Sequence, residues 1–234
     1  MSFGNGPKGI VTDGIIFSAD AGNAQSYVSG STFCFNLMPS STTGSLMGAA
    51  GGQVSPIYNS EVGGCWNLDG TDDRIEFDYT PILGSNPWTM STWVNCTTTD
   101  NGYMGAISFG VSDTNECNWL GIMNTNHWGG GLFGNNINTS ILVNTGEWKY
   151  LTQTYDGSAI NGATKIYLNE VFVVSNNRSP DIQVGKTLIG GIGTSTVNYF
   201  FGPGKIAAAQ IYNRELTQPE IIQNYNNTKA RFGL

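Results

Sequence analysis

Apolar and polar residues alternate along most of this chain in short segments, the period-two pattern of β-strands with one face in a core. The segment 88–94 (Trp-Thr-Met-Ser-Thr-Trp-Val) shows this pattern clearly. Clusters of Gly, Asn, Asp, Ser and Pro separate the segments at intervals of about 8–12 residues. Strands are predicted at residues 15–19, 32–37, 64–68, 74–78, 88–96, 103–111, 119–124, 132–135, 147–155, 164–175, 187–191 and 205–212. The pattern predicts an all-β protein, a two-sheet antiparallel sandwich or jelly roll.

Two stretches depart from the strand pattern. Residues 217–220 (Thr-Gln-Pro-Glu) form a capping box with Pro in the first turn, and Ile221, Ile222 and Tyr225 follow as apolar anchors. We predict one short C-terminal helix of about two turns there, pinned on the sandwich. The Gly-, Ser- and Thr-rich stretch 38–55 is expected to be a long surface loop.

The acidic stretch 68–77 joins two strand patterns through an Asp-Gly turn, whose glycine supplies a positive φ. Its acids Asp69, Asp72 and Asp73 have two interpretations. In the first, their carboxylates accept hydrogen bonds from the turn backbone. In the second, together with Asp20 from a neighbouring loop, they are hard oxygen ligands for calcium. No complete ligand set with defined spacing is present, so we expect no metal and no cofactor, with calcium as the alternative.

Composition limits the classes of function. Charged residues make up 12% of the chain, Gly accounts for 32 residues, and the net charge is -7. Such an acidic surface has no basic field for a phosphate backbone, so we expect no nucleic-acid partner. The sequence shows neither a signal peptide nor a run of apolar residues long enough to span a bilayer. The four cysteines lack a Cys-x-x-Cys pair, and we expect them to be reduced and largely buried.

No linker or change of composition divides the chain. We therefore expect an N-terminal arm at residues 1–10, rich in Gly, Asn and Pro, and one domain at residues 11–234.

An ordered set of short motifs carries a family resemblance. The motifs lie at residues 11–23, 26–27, 63–64, 68–77, 88–94, 146–148, 154–157, 165–170, 204–207, 211–217 and 220–221. In this order and spacing they resemble the laminin-G-like, concanavalin A-like jelly-roll family, over nearly the whole chain. The resemblance implies a concanavalin A-like two-sheet sandwich.

The chain resembles in particular the compact version of this family found in virion proteins of tailed phages, especially marine and cyanobacterial ones. There the opening seen at residues 11–27 and an ending like that at 229–234 recur. The resemblance implies a virion surface protein on the capsid or the tail. Residues 169–170 depart from it, because Asn-Glu replaces the usual Asn-Gly, and Glu fits a left-handed turn poorly. We expect that hairpin to be longer or strained. Residues 33–37 also depart, since a Trp and an Asp are more usual there.

The sequence does not predict an enzyme. Laminarinase-like relatives of this fold present their acids as Glu-x-Asp-x-x-Glu, and the chain has no such spacing. Glu116 is a lone acid beside an aromatic, which favours a strand edge. The sole histidine, His127, has no nucleophile motif beside it and is expected to be structural.

Two groups of residues are candidates for binding a glycan or another subunit. Sugar binding by a sandwich uses an exposed aromatic with Asn or Asp beside it, and the first group offers these types in a Gly-rich segment. In the alternative interpretation Trp128 closes one end of the sandwich. The second group is aromatic and equally suited to a subunit contact. The candidates are Asn124, Asn126, His127 and Trp128, and then Tyr199 and Phe200.

From the residues and the resemblance together we expect a non-enzymatic phage virion structural protein, a capsid decoration protein held by contacts with other virion proteins. A homo-oligomer is compatible with this role. The protein would be made in the host cytoplasm without a signal peptide and would lie on the virion surface, without membrane insertion. The alternative is an adhesin on the tail or capsid that binds host cell-surface glycans.

Overall fold

The computed structural model describes residues 9–39, 42–48, 56–97, 99, 102–158, 163–193 and 199–234. It contains two sheets, each of eight strands within these residues, and every strand pairing in them is antiparallel. Sheet A runs in the order β14 (Val171–Asn176), β13 (Thr164–Leu168), β12 (Trp148–Tyr155), β7 (Trp88–Cys96), β16 (Gly204–Tyr212), β5 (Cys65–Leu68) and β4 (Ile57–Asn59), with β1 (Ile15–Asp20) also paired to β16. Sheet B runs in the order β11 (Asn135–Leu142), β10 (His127–Leu132), β9 (Cys117–Ile122), β8 (Met104–Gly110), β15 (Lys186–Ile189), β6 (Arg74–Phe77), β3 (Thr43–Met47) and β2 (Phe33–Phe35). The all-β, two-sheet antiparallel sandwich with one C-terminal helix is confirmed.

A continuous apolar core lies between the two sheets. Phe17 of β1 meets Phe77 of β6 edge to face at 4.9 Å, and Trp88 of β7 meets Phe109 of β8 in the same way at 5.8 Å. Each of these rings is at most 1% exposed. Burial of such rings contributes most of the favourable free energy in a domain of this kind.

The C-terminal helix α1 (Gln218–Thr228) begins at the predicted capping box, with the Thr217 and Glu220 side chains bonded reciprocally to the backbone. It has 11 residues, about one turn more than predicted. Of the expected anchors, Ile221 and Tyr225 are buried, whereas Ile222 is only partly buried. The helix covers the outer face of sheet A.

An aromatic stack fixes the end of the chain on that face. The indole of Trp93 lies 4.0 Å from the ring of Phe232 and 5.8 Å from that of Tyr225, centroid to centroid. Its Nε1–H donates to the Thr228 hydroxyl at 3.0 Å. Trp93 therefore points away from the core, on the side of sheet A that the helix covers.

The prediction of a single strand at residues 132–135 is wrong. Those residues hold the end of β10, the turn Phe133-Gly134 and the first residue of β11. The glycines at 129–131 gave β10 no apolar alternation, and β11 is mostly polar, so the pattern did not reveal either strand. Gly134 takes φ +77° at the turn.

The loop predicted at 38–55 contains the strand β3, although residues 40–41 and 49–55 lie outside the described part. Gly44 of β3 lies against Phe77, and a Cβ there would come within 2.6 Å of its ring. A segment of Gly, Ser and Thr thus forms a strand because its neighbour β6 supplies the bulky side chain.

The hairpin at 169–170 is not longer than usual, since Leu168 pairs directly with Val171. Asn169 adopts the left-handed conformation, with φ +58°, so that Glu170 does not have to. The Asn169 amide oxygen also accepts from the backbone N–H of Tyr150 at 3.1 Å.

All four cysteines are buried and none of them forms a disulfide bond, as predicted. Burial raises the pKa of Cys34 and of Cys117 to about 12. No helix in the described ranges is both long enough and apolar enough to span a membrane. Residues 1–8 of the predicted N-terminal arm lie outside the described residues.

Candidate functional site

An apolar cluster lies on the outer face of sheet B, separate from the core. It arises from the alternation of β9, in which Leu120 and Ile122 enter the core while Cys117 and Trp119 join the outer cluster. The other members are Met123, Ile192, Tyr103, Phe133 and Tyr199.

This cluster forms the wall of an open cleft. The cavity has a volume of about 300 Å³ and is lined by Tyr103, Trp119, Phe133, Gly134, Asn136, Ile192 and Tyr199. Tyr103 meets Tyr199 edge to face at 5.6 Å and meets Trp119 in the same geometry at 5.8 Å. Tyr103, Phe133 and Tyr199 are partly exposed, whereas Trp119 is 1% exposed and lies beneath them.

Asn136 is the amide of the cleft, and its orientation is fixed. Its Oδ1 accepts from the indole Nε1–H of Trp119 at 3.0 Å, and its Nδ2 donates to the Tyr103 hydroxyl at 3.3 Å. The Tyr103 O–H stays available as a donor while it accepts this bond. The cleft thus joins aromatic rings with a small, oriented set of polar groups, a combination that can hold a sugar ring by its C–H face and its hydroxyl groups.

A glycine lies between Trp119 and Asn136 in the sheet. Gly131 of β10 lies directly opposite Trp119 on one side and Asn136 on the other. The two residues are therefore separated by a whole strand, about 10 Å between their backbones. The Trp119 indole reaches the Asn136 amide across β10 at this position. A Cβ on Gly131 would come within 2.8 Å of the Asn135 carbonyl oxygen.

Of the six predicted binding residues, only Tyr199 lines the cleft. Phe200, its neighbour in sequence, lies instead against the guanidinium of Arg74, 5.6 Å from ring centroid to Cζ. Trp128 is 1% exposed and belongs to the core between the sheets, so its ring offers no platform to a sugar. Of the two interpretations, exposed platform or closure of one end of the sandwich, the burial of Trp128 excludes the exposed platform.

The remaining candidates surround the turn between β9 and β10. Asn124 is exposed, and Asn126 is partly buried with φ +57°. His127 is the first residue of β10 rather than part of a turn, and its Nδ1 lies 3.0 Å from the Thr125 hydroxyl. None of the three lines the cleft.

Tyr103, Trp119, Phe133 and Asn136 were not among the predicted binding residues. Trp119 and Phe133 flank the first group of candidates in the sequence, but nothing in the sequence indicates which face of the sheet they occupy. The useful signal was the run of glycines at 129–131, which marks a close approach across the sheet.

The acidic loop connects the two sheets, from β5 in sheet A to β6 in sheet B. Gly70 has the expected positive φ of +80°. The Asp69 Oδ1 accepts from the N–H groups of Thr71 at 2.7 Å and Asp72 at 3.3 Å, and the Asp73 Oδ2 accepts from the Asp69 N–H at 2.9 Å. Two of these acids therefore hold the turn backbone, as the first interpretation predicted.

The carboxylates of Asp69, Asp72 and Asp73 do converge, with oxygen atoms within 4.8 Å of one another. Asp20, the proposed fourth ligand, does not complete the set. Its carboxylate pairs with Arg231, whose Nη1 lies 2.8 Å from Oδ1 and 3.0 Å from Oδ2. The residues present make a turn and fall short of a calcium coordination shell.

Comparison with known proteins decides the family. A family model described as the Concanavalin A-like lectin/glucanases superfamily (Laminin_G_3) matches residues 69–222, more than half of the chain. The chain belongs to this superfamily. A search of curated protein sequences found no match.

Several solved structures share the fold. Domain 4 of AbnA, a GH43 extracellular arabinanase from Geobacillus stearothermophilus, in complex with arabinotriose, is 19% identical with a TM-score of 0.63, over 90% of this chain and 98% of that one. A structure of botulinum neurotoxin type C, described as interacting with two ganglioside molecules, is 14% identical with a TM-score of 0.65, over 92% of this chain and 51% of that one. Trypanosoma rangeli sialidase in complex with sialic acid is 12% identical with a TM-score of 0.61, over 94% of this chain and 34% of that one. At these identities the likeness establishes the fold.

Proposed function

We propose that this protein is a non-enzymatic glycan-binding domain, and that the cleft lined by Tyr103, Phe133 and Tyr199 is its binding site. The observation that carries the proposal is the outward aromatic cluster with an oriented amide, on a sheet face that the helix does not cover. Two proteins of the same fold are described in complex with arabinotriose or as interacting with gangliosides, which supports a sugar as the ligand.

The size and chemistry of the cleft favour one or two sugar units. A volume of about 300 Å³ is at the small end of ligand pockets. A pyranose presents C–H groups on one face, which pack on Tyr or Phe rings, and hydroxyl groups at its edge. Asn136 and the Tyr103 hydroxyl are placed to bond those hydroxyl groups, and Trp119 is held below as a rigid base.

The described lining of the cleft contains no pair of acids, which supports a binding role over hydrolysis. A glycosidase of the usual kind needs two carboxyl groups about 5–10 Å apart across the scissile bond. None of the described residues that line the cleft carries a carboxylate. We therefore propose that bound sugar leaves the protein unchanged.

The test is a glycan array probed with the purified chain, followed by the variant Tyr199→Ala. Neighbouring Phe200 provides a matched control, since Phe200→Ala removes a partly exposed aromatic that does not line the cleft. We expect array signals that Tyr199→Ala removes and Phe200→Ala retains. A blank array for the folded wild-type protein would contradict glycan binding.

We further propose that the domain is carried on the surface of a tailed-phage virion, as a capsid decoration protein or as an adhesin. The specific observation in favour is that the segments of the phage-like resemblance meet in space. Asp20 of the Asp-Ala-Gly-Asn segment pairs with Arg231 of the C-terminal segment, and Arg231 also donates to the carbonyl oxygens of Val62 and Gly64. These motifs therefore form one structural unit, which is what a shared family variant would preserve.

Quantitative mass spectrometry of purified particles tests this placement. Copies in proportion to the major capsid protein would support decoration, and a few copies per particle would support an adhesin. Absence of the chain from purified particles would contradict both forms of the proposal.

A further inference from the structure

Arg178 differs from the other arginines of the chain. Arg74, Arg214 and Arg231 each pair with a carboxylate, at 2.6, 2.7 and 2.8 Å. No carboxylate among the described residues lies within the 4.0 Å ion-pair distance of Arg178. In a chain of net charge -7, a partly buried arginine without an acidic partner is an exception that needs a physical reason.

The guanidinium of Arg178 is held against the edge of sheet B. Its Nε donates to the Asn135 carbonyl oxygen at 2.8 Å and its Nη2 to that of Asn136 at 2.6 Å, both on the edge strand β11. Its Nη1 donates to the Asn177 carbonyl oxygen at 2.7 Å. These bonds close the strand edge and fix the guanidinium plane, and they leave further N–H groups of its fork unused.

Carbonyl oxygens satisfy hydrogen bonds, but they do not neutralise a charge. Burial lowers the pKa of Arg178, and no neighbouring acid opposes that shift. The charge is therefore partly desolvated without a counter-ion, which costs free energy that an anion would recover. Closing the strand edge alone would not require the positive charge.

A polar pocket surrounds this cation. It has a volume of about 280 Å³ and is lined by Asn115, Asn135, Asn177, Arg178 and Ser179. Amides and a hydroxyl around a planar cation suit a ligand that carries a planar anion and several hydroxyl groups.

The pocket and the aromatic cleft are lined by consecutive residues of β11, whose side chains leave the strand on opposite faces. Asn135 lines the pocket and Asn136 lines the cleft, and Arg178 bonds the carbonyl oxygens of both.

We propose that the Arg178 pocket binds the carboxylate of an acidic sugar, a sialic or uronic acid. The proposal rests on the proposed glycan-binding function and adds the class of glycan. A planar guanidinium with adjacent N–H groups matches a carboxylate in shape and charge. Asn115 and Ser179 supply amide and hydroxyl groups for the hydroxyls of that sugar.

The first test uses a monosaccharide, so that it does not depend on the cleft. The full chain is titrated with sodium glucuronate and, as the uncharged match, with methyl glucoside, and followed by nuclear magnetic resonance. We expect glucuronate to shift the Arg178 Nε–H resonance and the side-chain amide resonances of Asn115 and Asn135, and methyl glucoside to leave them in place. The Tyr199→Ala variant should show the same glucuronate shifts. Absence of these shifts in the folded wild-type protein would overturn the proposal.

The second test compares 3′-sialyllactose with lactose by calorimetry at about 0.15 M salt, where exposed charges are screened. We expect the wild-type protein to bind sialyllactose about tenfold more tightly, and Arg178→Gln to bind both equally with unchanged lactose affinity. Equal affinities in the wild type, or a preference that Arg178→Gln retains, would overturn the proposal. Should Arg178→Gln not fold, Arg178→Lys replaces it in the same comparison of sialyllactose with lactose. Its ammonium group keeps the charge but loses the planar fork, so a weaker preference for sialyllactose is expected. If neither sugar binds, the proposed cleft function fails for these sugars, and the glucuronate titration still decides the role of Arg178.

Discussion

Asp20 and Arg231 form an ion pair that joins two positions 211 residues apart in the sequence. Asp20 ends β1, and Arg231 lies in the last turn of the chain, so the pair fixes the C-terminus to sheet A. Gly22 is required beside it, because a Cβ there would lie 2.5 Å from the Gly63 carbonyl oxygen and 2.7 Å from the Arg231 Nη2. The pair is half-buried and bonded to backbone as well, unlike an exposed surface ion pair.

We predict that Arg231→Ala lowers the free energy of unfolding by about 2–4 kcal/mol. The substitution leaves the Asp20 carboxylate and the carbonyl oxygens of Val62 and Gly64 without their donor. Urea denaturation measures the change. Lys149→Ala is the control, because Lys149 pairs with the 53%-exposed Glu147, and a change within about 0.5 kcal/mol is expected there. Equal effects of the two variants would show that the Arg231 cluster has no special stabilising role.

Two glycine variants separate the backbone strain at Gly131 from the crowding of the cleft. Gly131 and Gly30 have φ of +118° and +85°, so alanine is strained at both. A Cβ at Gly30 meets nothing within 4 Å, whereas at Gly131 it meets the Asn135 carbonyl oxygen. We predict that Gly30→Ala costs about 1 kcal/mol and Gly131→Ala about 2–4 kcal/mol, and that only Gly131→Ala weakens glycan binding. Thermal melts and binding isotherms of the two variants check this, and similar values for both would contradict the role of Gly131.

Glu220 gives the C-terminal helix a defined dependence on pH. Hydrogen bonds from Arg214, against a smaller opposing effect of burial, lower the pKa of Glu220 from 4.5 to about 2. A folded-state pKa below the unfolded value means that the stabilisation is complete above about pH 4.5 and is lost as the pH falls toward 2. We predict that Glu220→Gln is destabilised by about 1 kcal/mol at pH 7 and loses less stability than the wild type between pH 5 and 3. Urea midpoints across this range measure the difference, and parallel pH profiles would refute the assignment.

Calcium is expected to have no effect on stability. The oxygens of Asp69 and Asp73 already accept backbone N–H groups, and Asp20 is committed to Arg231. We predict the same melting temperature, within about 1 °C, in excess calcium and in EDTA, since binding to the folded state would raise it. A melting temperature that rises with calcium concentration would assign the acidic loop a metal instead.

The fold followed from the sequence wherever period-two alternation and turn chemistry agreed. The capping box at 217–220 located α1, and the alternation around 68–77 located β5 and β6. β3 and β10 were missed because their glycines carry no apolar signal. Gly44 makes room for the Phe77 ring, whereas Gly130 and Gly131 lie against the backbones of β9 and β11.

The candidate site was less accessible to sequence reasoning, for a physical reason. Trp119 and Trp128 both lie on strands of sheet B and are equally buried at 1% exposure, yet one joins the outer cluster and the other the core. Alternation shows that a strand has two faces without showing which one meets the other sheet. The register shift in β8 between Gly105 and Ile107 further changes which residues face outward. Tyr199 was predicted as a binding residue only because it is aromatic, without information on the face that it occupies.

Calorimetric titration of Tyr199→Ala and Phe200→Ala with a glycan selected from the array tests the central claim most directly. Loss of an aromatic platform for a sugar ring costs about 1.4 kcal/mol or more, which is tenfold in affinity. We predict at least about a tenfold loss for Tyr199→Ala and less than about a twofold change for Phe200→Ala, with both variants folded by circular dichroism. Wild-type affinity in Tyr199→Ala, or an equal loss in both variants, would contradict the assignment of the cleft as the binding site.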